Sequence, residues 1–419
     1  MAAPTMQVLV GFQSTVASSN AMQLDGANIS QNQLGPAGTG KLGGLYFADL
    51  TSLVMSVSIT RGRSRQLDQF NAGTATITFN NSTRILDPLN ASSIYYPYVV
   101  PRCPVRVLAN GIPIYTGLIV DWNLDYDIAS NGDRMYAQCS DNFTVLANTT
   151  LVAHTVAQES TNTRINNVLA YTEVNYQGAT AIGTGSSTLG ASATSSGFNI
   201  ADGTNLLTYL QQVNTSEQGY LFMSAAGTLT FKGRSAVLNP VANATFSYTG
   251  NIPYQTLLNQ YGDELLYNYI VTQSPAGVQQ ITSNTASIAL YGSQSLNITN
   301  LLNSSTSEVA ALGNYLLGRY MNPVLRFTNV STQLSALSSA NQNIALSLDL
   351  TNIATVVKNF STGTPATETQ TLIVSGVNHV IEPGSHIIGY TFESTDQNAY
   401  FVIGDTIFGT LSTTNLLSF

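Results

Sequence analysis

Short runs that alternate apolar and polar residues limit most strongly how this chain can fold. Residues 54–60 and 75–80 alternate in this way and are rich in β-branched side chains. A period of two places every second side chain on the same face of an extended strand. Residues 136–139 show the same pattern over a shorter length. The N-terminal part of the chain is therefore predicted to form β-strands that bury one face.

A tight turn joins two further predicted strands. Asn110 and Gly111 separate the apolar runs 105–109 and 112–120, and this dipeptide is the pair that a two-residue hairpin turn prefers. Several short strands with turn signals between them are typical of a β-barrel or a β-sandwich. Residues 45–150 are therefore predicted to form a first β-barrel domain, and residues 1–44 an N-terminal arm or loop.

The middle of the chain shows helical periodicity instead. Residues 178–197 between the two helical stripes are dominated by Gly, Ala, Ser and Thr and are interpreted as a flexible surface loop. Residues 219–232 have the pattern of a β-hairpin. These features predict a small α+β domain inserted at 151–250. The apolar residues at helical spacing are Ile165, Val168 and Leu169, then Leu206, Leu207, Leu210 and Val213.

Residues 251–419 are predicted to form a second β-rich domain with one helix at about 305–321. Ser305 and Glu308 have the spacing of a capping box, and Pro323 ends the helical pattern. The whole chain is thus predicted to be mainly β and multidomain, with an α+β insert. Strands are predicted after the helix at 371–376, 387–392, 400–403 and 406–411, the first two around a turn signal at 382–385.

The stretch from Gly35 to Lys41 has the glycine and lysine spacing of a phosphate-binding loop. Such a loop needs a Ser or Thr after the lysine, and it connects a buried strand to a helix. Here Leu42 follows the lysine, polar turn-forming residues precede the motif, and paired glycines come after it. Nucleotide binding is therefore not predicted, and the stretch is interpreted as an exposed glycine-rich loop.

Charged residues make up only 9% of the 419 residues, whereas about 25% is usual in globular proteins. A surface of uncharged polar residues suits a subunit that packs against other subunits. The net charge of −8 argues against a general nucleic-acid-binding protein, which normally presents a basic face. The sequence shows neither a basic signal-peptide n-region nor a run of 18 apolar residues. We therefore expect a chain that is folded and assembled in the cytoplasm without inserting into a membrane.

Residue types that commonly bind metals are scattered along the chain. Cys103 and Cys139 form no Cys-x-x-Cys motif and are expected to be buried free thiols, with a disulfide between adjacent strands as the alternative. His379 and His386 flank a predicted turn together with Glu382. Three such residues are few for a metal site, and hydrogen-bonded strand residues are the favoured interpretation.

Acidic residues surround the single tryptophan, Trp122, but they lack the ligand order, the glycine and the distal Glu of a calcium loop. A solvated acidic loop is therefore favoured. The sequence contains no nucleophile elbow, and no pair of catalytic carboxylates can be located in it. We predict no metal, no cofactor and no enzymatic activity. The acidic residues are Asp121, Asp125, Asp127 and Asp133.

The most distinctive segment holds Arg61, Arg63 and Arg65 at alternating positions, followed by Asp68. On an extended chain the three side chains would point to one side, where phosphate is one possible partner. The nearby acid and the lack of an aromatic platform make a nucleic-acid site weak. Because the planar guanidinium suits carboxylates at interfaces, we predict that these four residues form salt bridges between subunits.

The motifs around this segment resemble, in their order, those of the minor tail proteins of long-tailed bacteriophages. The resemblance covers roughly residues 53–419. The N-terminal fifty residues match least, so their role stays open. The motifs are the arginine segment, Ala72-Gly-Thr-Ala-Thr76, Asp87-Pro-Leu-Asn90, Pro101-Arg-Cys-Pro-Val-Arg106, Tyr315-Leu-Leu-Gly-Arg-Tyr320 and the His379 motif that ends at Pro383-Gly384.

The resemblance implies a virion protein of the tail tip, related to baseplate hub proteins. In such hubs each subunit carries two barrel domains that resemble tail-tube subunits, so a homotrimeric ring presents six similar units to a six-fold tube. The ring would cap the distal tail tube and organise the tip. The implied partners are further copies of this chain, a distal tail or tail tube protein, the tape-measure protein, and tip or fibre proteins. DNA would pass without specific binding, through a lumen that we expect to be acidic or neutral.

A second hypothesis keeps the tail-tip location but assigns receptor or carbohydrate binding. It rests on the tyrosine-rich stretch that contains Tyr95, Tyr96 and Tyr98, because exposed aromatic rings stack on sugars. The alternative for these residues is packing between subunits, where tyrosine is enriched.

Overall fold

The computed structural model describes residues 2–12, 21–22, 41–42, 46–128, 132–237, 241–250, 252–277, 279–395, 399–400 and 415–416. Strands make up 41% of the structure and helices 20%, and the strands form several sheets. The predicted mainly β class is therefore confirmed. The glycine-rich stretch 35–40 lies outside these residues, as do the predicted C-terminal strands apart from Tyr400. No helix in the described part is long and apolar enough to span a membrane.

The N-terminal third is built almost entirely from strands. They are β1 (Met6–Phe12), β2 (Ala21–Met22), β3 (Lys41–Leu42), β4 (Tyr46–Asp49), β5 (Val54–Gly62), β6 (Asn71–Asn80), β7 (Cys103–Ala109), β8 (Ile112–Asp125) and β9 (Arg134–Ser140), followed by the short helix α1 (Phe143–Ala147).

The middle of the chain mixes helices with short strands, as predicted. The elements are β10 (Thr150–Leu151), β11 (Glu159–Ser160), α2 (Thr161–Leu169), β12 (Thr180–Ile182), β13 (Thr188–Leu189), β14 (Thr204–Asn205), α3 (Leu206–Glu217), β15 (Tyr220–Met223), β16 (Leu229–Lys232) and β17 (Ala244–Ser247).

The C-terminal part returns to strands around one long helix. The elements are β18 (Thr256–Gln260), β19 (Tyr269–Gln273), β20 (Gln279–Ser283), α4 (Thr285–Tyr291), β21 (Ser295–Ile298), α5 (Thr306–Tyr320), β22 (Arg326–Gln333), α6 (Ser339–Ser347), β23 (Ile353–Asn359), β24 (Thr367–Glu382), β25 (Ser385–Ser394), β26 (Ala399–Tyr400) and β27 (Asn415–Leu416).

The three predicted hairpins form where the sequence places them, and two of their turns show the expected backbone geometry. Asn110 and Gly111 have positive φ of 50° and 77° between β7 and β8, which is the backbone geometry that the Asn-Gly pair favours. Between β24 and β25, Gly384 takes φ 78°, as the third position of a type II turn requires.

One thirteen-stranded sheet contains the main strands of both β-rich regions. Its order is β18-β22-β25-β24-β5-β6-β9-β8-β7-β1-β4, and β23 pairs with both β24 and β17. Within the described residues this path is open, and no closed barrel forms. The regions expected at 45–150 and 251–419 are thus joined edge to edge through β5 and β24.

The first strand also differs from expectation. Residues 1–44 were predicted to form an arm or loop, but Met6–Phe12 pairs with β7 on one side and with β4 on the other. Val8, Val10 and Phe12 alternate and are buried in the core. A single short strand gives a weak local signal, and its two pairing partners, β4 and β7, lie about 40 and about 100 residues further along the chain.

The glycine- and serine-rich stretch 178–197 lies mostly at the surface, as predicted, but it contains the strands β12 and β13 and is therefore not a loop throughout. Leu189 within it and Phe198 just after it are buried. The fully buried carboxylate of Glu217 accepts hydrogen bonds from the backbone N–H groups of Ser186 at 2.9 Å and Ser187 at 2.7 Å. These hydrogen bonds to Glu217 therefore hold Ser186 and Ser187 in place, which the composition of the stretch does not predict.

The long helix α5 confirms the predicted one. The Ser305 hydroxyl accepts a hydrogen bond from the Glu308 N–H at 3.3 Å, but the Glu308 carboxylate also binds the Thr188 N–H of the middle region at 3.0 Å. The capping acid thus ties the helix to the α+β unit. A second, separate core forms around the helix from Ile270, Leu301, Val309, Leu312, Leu316 and Tyr320.

Candidate assembly site at the junction of the two β-rich regions

The pairing of β5 with β24 builds the centre of the molecule. It runs antiparallel from Val57 opposite Ile381 to Gly62 opposite Gly376, and the Arg63 N–H donates to the Ser375 carbonyl at 2.9 Å. Gly62 has φ 108°, and a Cβ on it would lie 2.2 Å from the Ser375 oxygen. Only glycine therefore allows the two backbones to approach this closely.

Arg61, at the end of β5, is buried with 5% of its surface exposed. Its Nη2 donates to the Asp349 carboxylate at 2.5 Å. The other oxygen of Asp349 accepts from the Ala225 N–H at 2.7 Å, so this ion pair connects β5 with both the C-terminal region and the hairpin of the middle region.

Arg63 lies in an aromatic and acidic environment. Its Nη2 donates to the buried Glu393 carboxylate at 2.6 Å, and its guanidinium carbon lies 4.7 Å from the Phe70 ring centre and 5.3 Å from that of Tyr220. Burial disfavours the charged guanidinium, but the attraction and hydrogen bond of Glu393 together with the attraction of Tyr220 and Tyr320 outweigh this effect, and the pKa of Arg63 is raised. The charge is therefore held inside the protein by one carboxylate.

The third arginine, Arg65, lies at the surface. It forms an ion pair with Glu264 at 2.9 Å in which the two side chains are 53% and 44% exposed. Asp68 is also exposed, and its backbone N–H donates to the Arg65 carbonyl at 3.3 Å. The three arginines thus bind three carboxylates of the same chain, where the sequence predicted carboxylates of a neighbouring subunit.

These acids were missed at the level of sequence because each lies more than 190 residues after its arginine. The sequence offers one indication of these partners. With only 9% charged residues, the β-rich regions contain few carboxylates that could pair with the arginines. Asp349 and Glu393 are such acids, and buried charges are rarely found without a partner.

The tyrosine stretch does not form an exposed aromatic platform. Tyr95 is only 8% exposed and stacks on Phe12 with ring centres 4.4 Å apart. Tyr98 is half-buried, and its carbonyl accepts from the Cys103 thiol at 3.4 Å. Tyr96, 41% exposed, is the most accessible ring of the three.

The two histidines at the turn are brought together in the interior. His379 Nδ1 and His386 Nε2 lie 3.0 Å apart. Burial lowers the pKa of both rings, that of His386 to about 4, and the positive charge of Arg61 lowers the pKa of His379 further. Both rings are thus held neutral, as expected of hydrogen-bonded strand residues.

The remaining candidates are structural. Cys103 and Cys139 are buried free thiols, as predicted. Asp121, Asp125 and Asp127 are exposed, but Asp133 is buried and accepts from the Asp127 N–H at 2.7 Å. Among the described residues, no group of three or more His, Cys, Asp or Glu side chains is arranged to hold a metal ion.

The ends of the large sheet present free strand edges. In the part of the chain that the structure describes, β4 pairs only with β1 and β18 pairs only with β22. Strand β18 is largely exposed, and its central Leu258 has 60% of its surface accessible. An exposed edge with an apolar side chain is a template for pairing with another chain.

Two solved structures with a similar architecture are tail proteins. The 43 kDa tail protein of prophage MuSo2 from Shewanella oneidensis matches with a TM-score of 0.56 at 9% sequence identity, over 93% of this chain and 98% of that protein. The tail protein from Neisseria meningitidis matches with a TM-score of 0.54 at 11% identity, over 83% of this chain and 94% of that protein. This chain has the fold of a phage tail protein.

The predicted resemblance to tail proteins is therefore confirmed for the fold. No protein-family model and no curated protein sequence matches the chain. At 9% to 11% identity the tail-protein likeness extends to architecture over nearly the whole chain, whereas individual side chains such as Arg63 and Glu393 have to be interpreted from their own contacts.

Proposed function

We propose that this protein is a structural subunit of a bacteriophage tail tip, and that it forms a homotrimeric hub ring that caps the distal tail tube. The observation that carries the proposal is the arrangement of strands on either side of the β5–β24 pair. Outward from this pair, one side continues with β6 and β9 and the other with β25 and β22. Each side thus presents a comparable set of antiparallel strands.

A ring of three such chains would contain six strand sets. Six strand sets match a six-fold tube, whereas one set per subunit would give a ring of three chains only three sets. The tail-protein fold supports the same role, because it extends over 93% of this chain in one comparison. The tube protein, the tape-measure protein and tip or fibre proteins are the proposed neighbours, and DNA would pass through the lumen without specific binding.

The free edges at β4 and β18 supply the proposed subunit contacts. Joining one end of the sheet to the other end in the next copy is a head-to-tail contact, which closes into a ring when the rotation allows it. Closure would also remove the exposed edge of β18, which is a liability in an isolated chain. Arg65 and Asp68, the exposed members of the arginine segment, are proposed to lie at a subunit contact.

The test is the oligomeric state of matched edge variants, measured by mass photometry and electron microscopy with the tube protein present. Leu258→Lys places a charge on the β18 edge, whereas Ile281→Lys places one on β20 of a different sheet, at a residue 56% exposed. We expect three-fold rings from the wild type and from the Ile281 variant, and monomers from the Leu258 variant.

Rings that form equally well from the Leu258 variant would exclude β18 as the contact. A peripheral, fibre-like position of the protein in intact particles would instead favour receptor binding, and Tyr96 would then be the first residue to replace.

A further inference from the structure

A cleft of about 260 Å³ opens where the three regions of the chain meet. The segment after β5 forms one wall, with Arg63 and Gln69. The C-terminal end of α3 and β21 form two others, and the last turns of α5 contribute Tyr315 and Arg319. This volume is below the ~300–1,000 Å³ typical of pockets for drug-sized ligands. The cleft is therefore sized for one side chain or one small anion.

The charges that line this cleft do not balance. Two guanidinium groups, Arg63 and Arg319, face one lining acid, Asp68, which is exposed. Behind the wall, Glu393 forms its ion pair with Arg63. Among the groups that line the cleft itself, cations therefore outnumber acids by one.

Arg319 forms no direct ion pair with any residue that the structure describes. Burial disfavours its charge, but attraction to Tyr320, Tyr315, Tyr220 and Glu393 raises its pKa. Its Nη1 donates to the Tyr315 hydroxyl at 2.9 Å and its Nη2 to the Ser394 carbonyl at 2.6 Å. The Gln66 amide oxygen also accepts from Nη2 at 2.6 Å and from Nε at 3.0 Å. These acceptors are neutral, and no carboxylate among the described residues lies within 4.0 Å of this guanidinium. A buried guanidinium normally has an anionic partner.

Arg63 also keeps unused hydrogen-bonding capacity. Its Nη1 and Nη2 are bound to the Asp68 carbonyl and to Glu393, but its Nε is buried and finds no acceptor among the described residues. A buried donor without a partner is costly. The other polar lining groups are the neutral side chains of Gln66, Gln69, Asn214, Thr215, Gln218 and Asn297.

We propose that this cleft, named here the Arg63–Arg319 cleft, binds a carboxylate group. A carboxylate accepts hydrogen bonds from guanidinium groups in well-defined geometry, and charge-assisted bonds of this kind are about twice as strong as neutral ones. The carboxylate belongs either to an acidic side chain of a neighbouring protein or to a small free anion. Because the cleft is bounded by all three regions of the chain, its occupation would hold them together.

The test uses the isolated full-length chain and does not depend on ring formation, so it is independent of the proposed hub function. The probes are N-acetylglutamate and N-acetylglutamine, both with the α-carboxyl group blocked as the methylamide so that the first carries one carboxylate and the second is neutral, and a hexaglutamate peptide, all at constant ionic strength. Binding is measured by calorimetry and by the midpoint of thermal unfolding. We expect N-acetylglutamate, but not N-acetylglutamine, to bind and to raise the unfolding temperature.

Three variants locate the binding site. Arg319→Gln is expected to weaken the binding of N-acetylglutamate at least about tenfold, since it removes charge-assisted hydrogen bonds. Asp68→Asn removes the only lining acid and should strengthen binding by about two- to fivefold through reduced repulsion. Arg102→Gln removes an exposed arginine that does not line the cleft and should leave binding unchanged.

The two sources of the carboxylate are separated by the peptide. Tighter binding of hexaglutamate than of N-acetylglutamate, after correction for the number of carboxylates, identifies a protein segment, and equal binding identifies a free anion. Equal responses to the acid and its amide, or identical binding by wild type and the Arg319 variant, would overturn the proposal. If the Arg319 variant does not fold, the comparison of Asp68→Asn with wild type decides, and unchanged binding there rejects the cleft.

Discussion

His379 Nδ1 and His386 Nε2 lie 3.0 Å apart inside the sheet, between β24 and β25, next to the β5–β24 pairing that joins the two β-rich regions. One shared hydrogen bond requires that at least one ring be neutral. Arg61 adds a positive charge near His379, so protonation of either ring would place like charges together in a buried position.

The stability of the protein should therefore fall on acidification through this pair. The folded-state pKa of His386 is about 4 and that of His379 is also lowered, whereas the pKa of a histidine in the unfolded chain is near 6.5. Below about pH 6.5 the unfolded chain binds more protons than the folded chain, so the free energy of unfolding decreases between about pH 6.5 and pH 4. The shift of His386 alone corresponds to roughly 3 kcal/mol.

Urea unfolding between pH 7.5 and pH 4 measures this effect. Asp141 opposes it, because burial raises the pKa of this carboxyl to about 6 and its contribution grows as the pH falls. The histidine part is isolated by His386→Gln, whose unfolding free energy should depend less on pH than that of wild type. Parallel curves for the two proteins would show that the pair does not control acid stability.

The buried and exposed ion pairs of the arginine segment should differ sharply in their effect on stability. Glu393→Gln leaves Arg63 charged and buried without its carboxylate, and we expect the free energy of unfolding to drop by ~3 kcal/mol or more. Glu264→Gln is the matched control, because its ion pair with Arg65 is about half exposed and such pairs contribute less than ~1 kcal/mol. Equal losses in chemical denaturation would contradict the assigned burial.

Gly62 should be irreplaceable at the strand junction. An alanine there would place its Cβ 2.2 Å from the Ser375 carbonyl oxygen at φ 108°, so Gly62→Ala should prevent the β5–β24 pairing. Gly111→Ala provides the control, since φ is also positive but no atom lies within 4 Å of the added carbon. That variant should lose only ~1–2 kcal/mol. Circular dichroism and thermal unfolding measure both, and a well-folded Gly62 variant would refute the close approach.

Glu217 should hold part of the stretch 178–197 in place, although the composition of that stretch is typical of a flexible loop. Glu217→Gln replaces one acceptor oxygen with a donor facing N–H groups, which should cost ~1–3 kcal/mol. Hydrogen exchange at Ser186 and Ser187 should become faster, because their N–H groups lose the carboxylate. Unchanged exchange at these residues, with the rest of the chain as the internal reference, would show that other contacts hold the stretch.

Local features of the fold were predictable from the sequence, and long-range ones were not. The turn at Asn110 and Gly111 and the helix that Ser305 caps follow from a few neighbouring residues. The carboxylate partners of Arg61 and Arg63 depend instead on which strands become neighbours, and no local sequence pattern indicates that β5 pairs with β24. The Arg63–Arg319 cleft was missed for the same reason, because its walls come from three separate regions.

The β5–β24 pairing also sets an order of events during synthesis. Strand β5 ends at Gly62, but its partner segment runs from Gly376 to Ile381, so more than 300 residues must leave the ribosome before this edge is covered. Until then the nascent chain exposes a strand rich in apolar residues, of the kind that pairs with other chains. The yield of correctly folded subunits should therefore depend on how quickly translation proceeds between these strands.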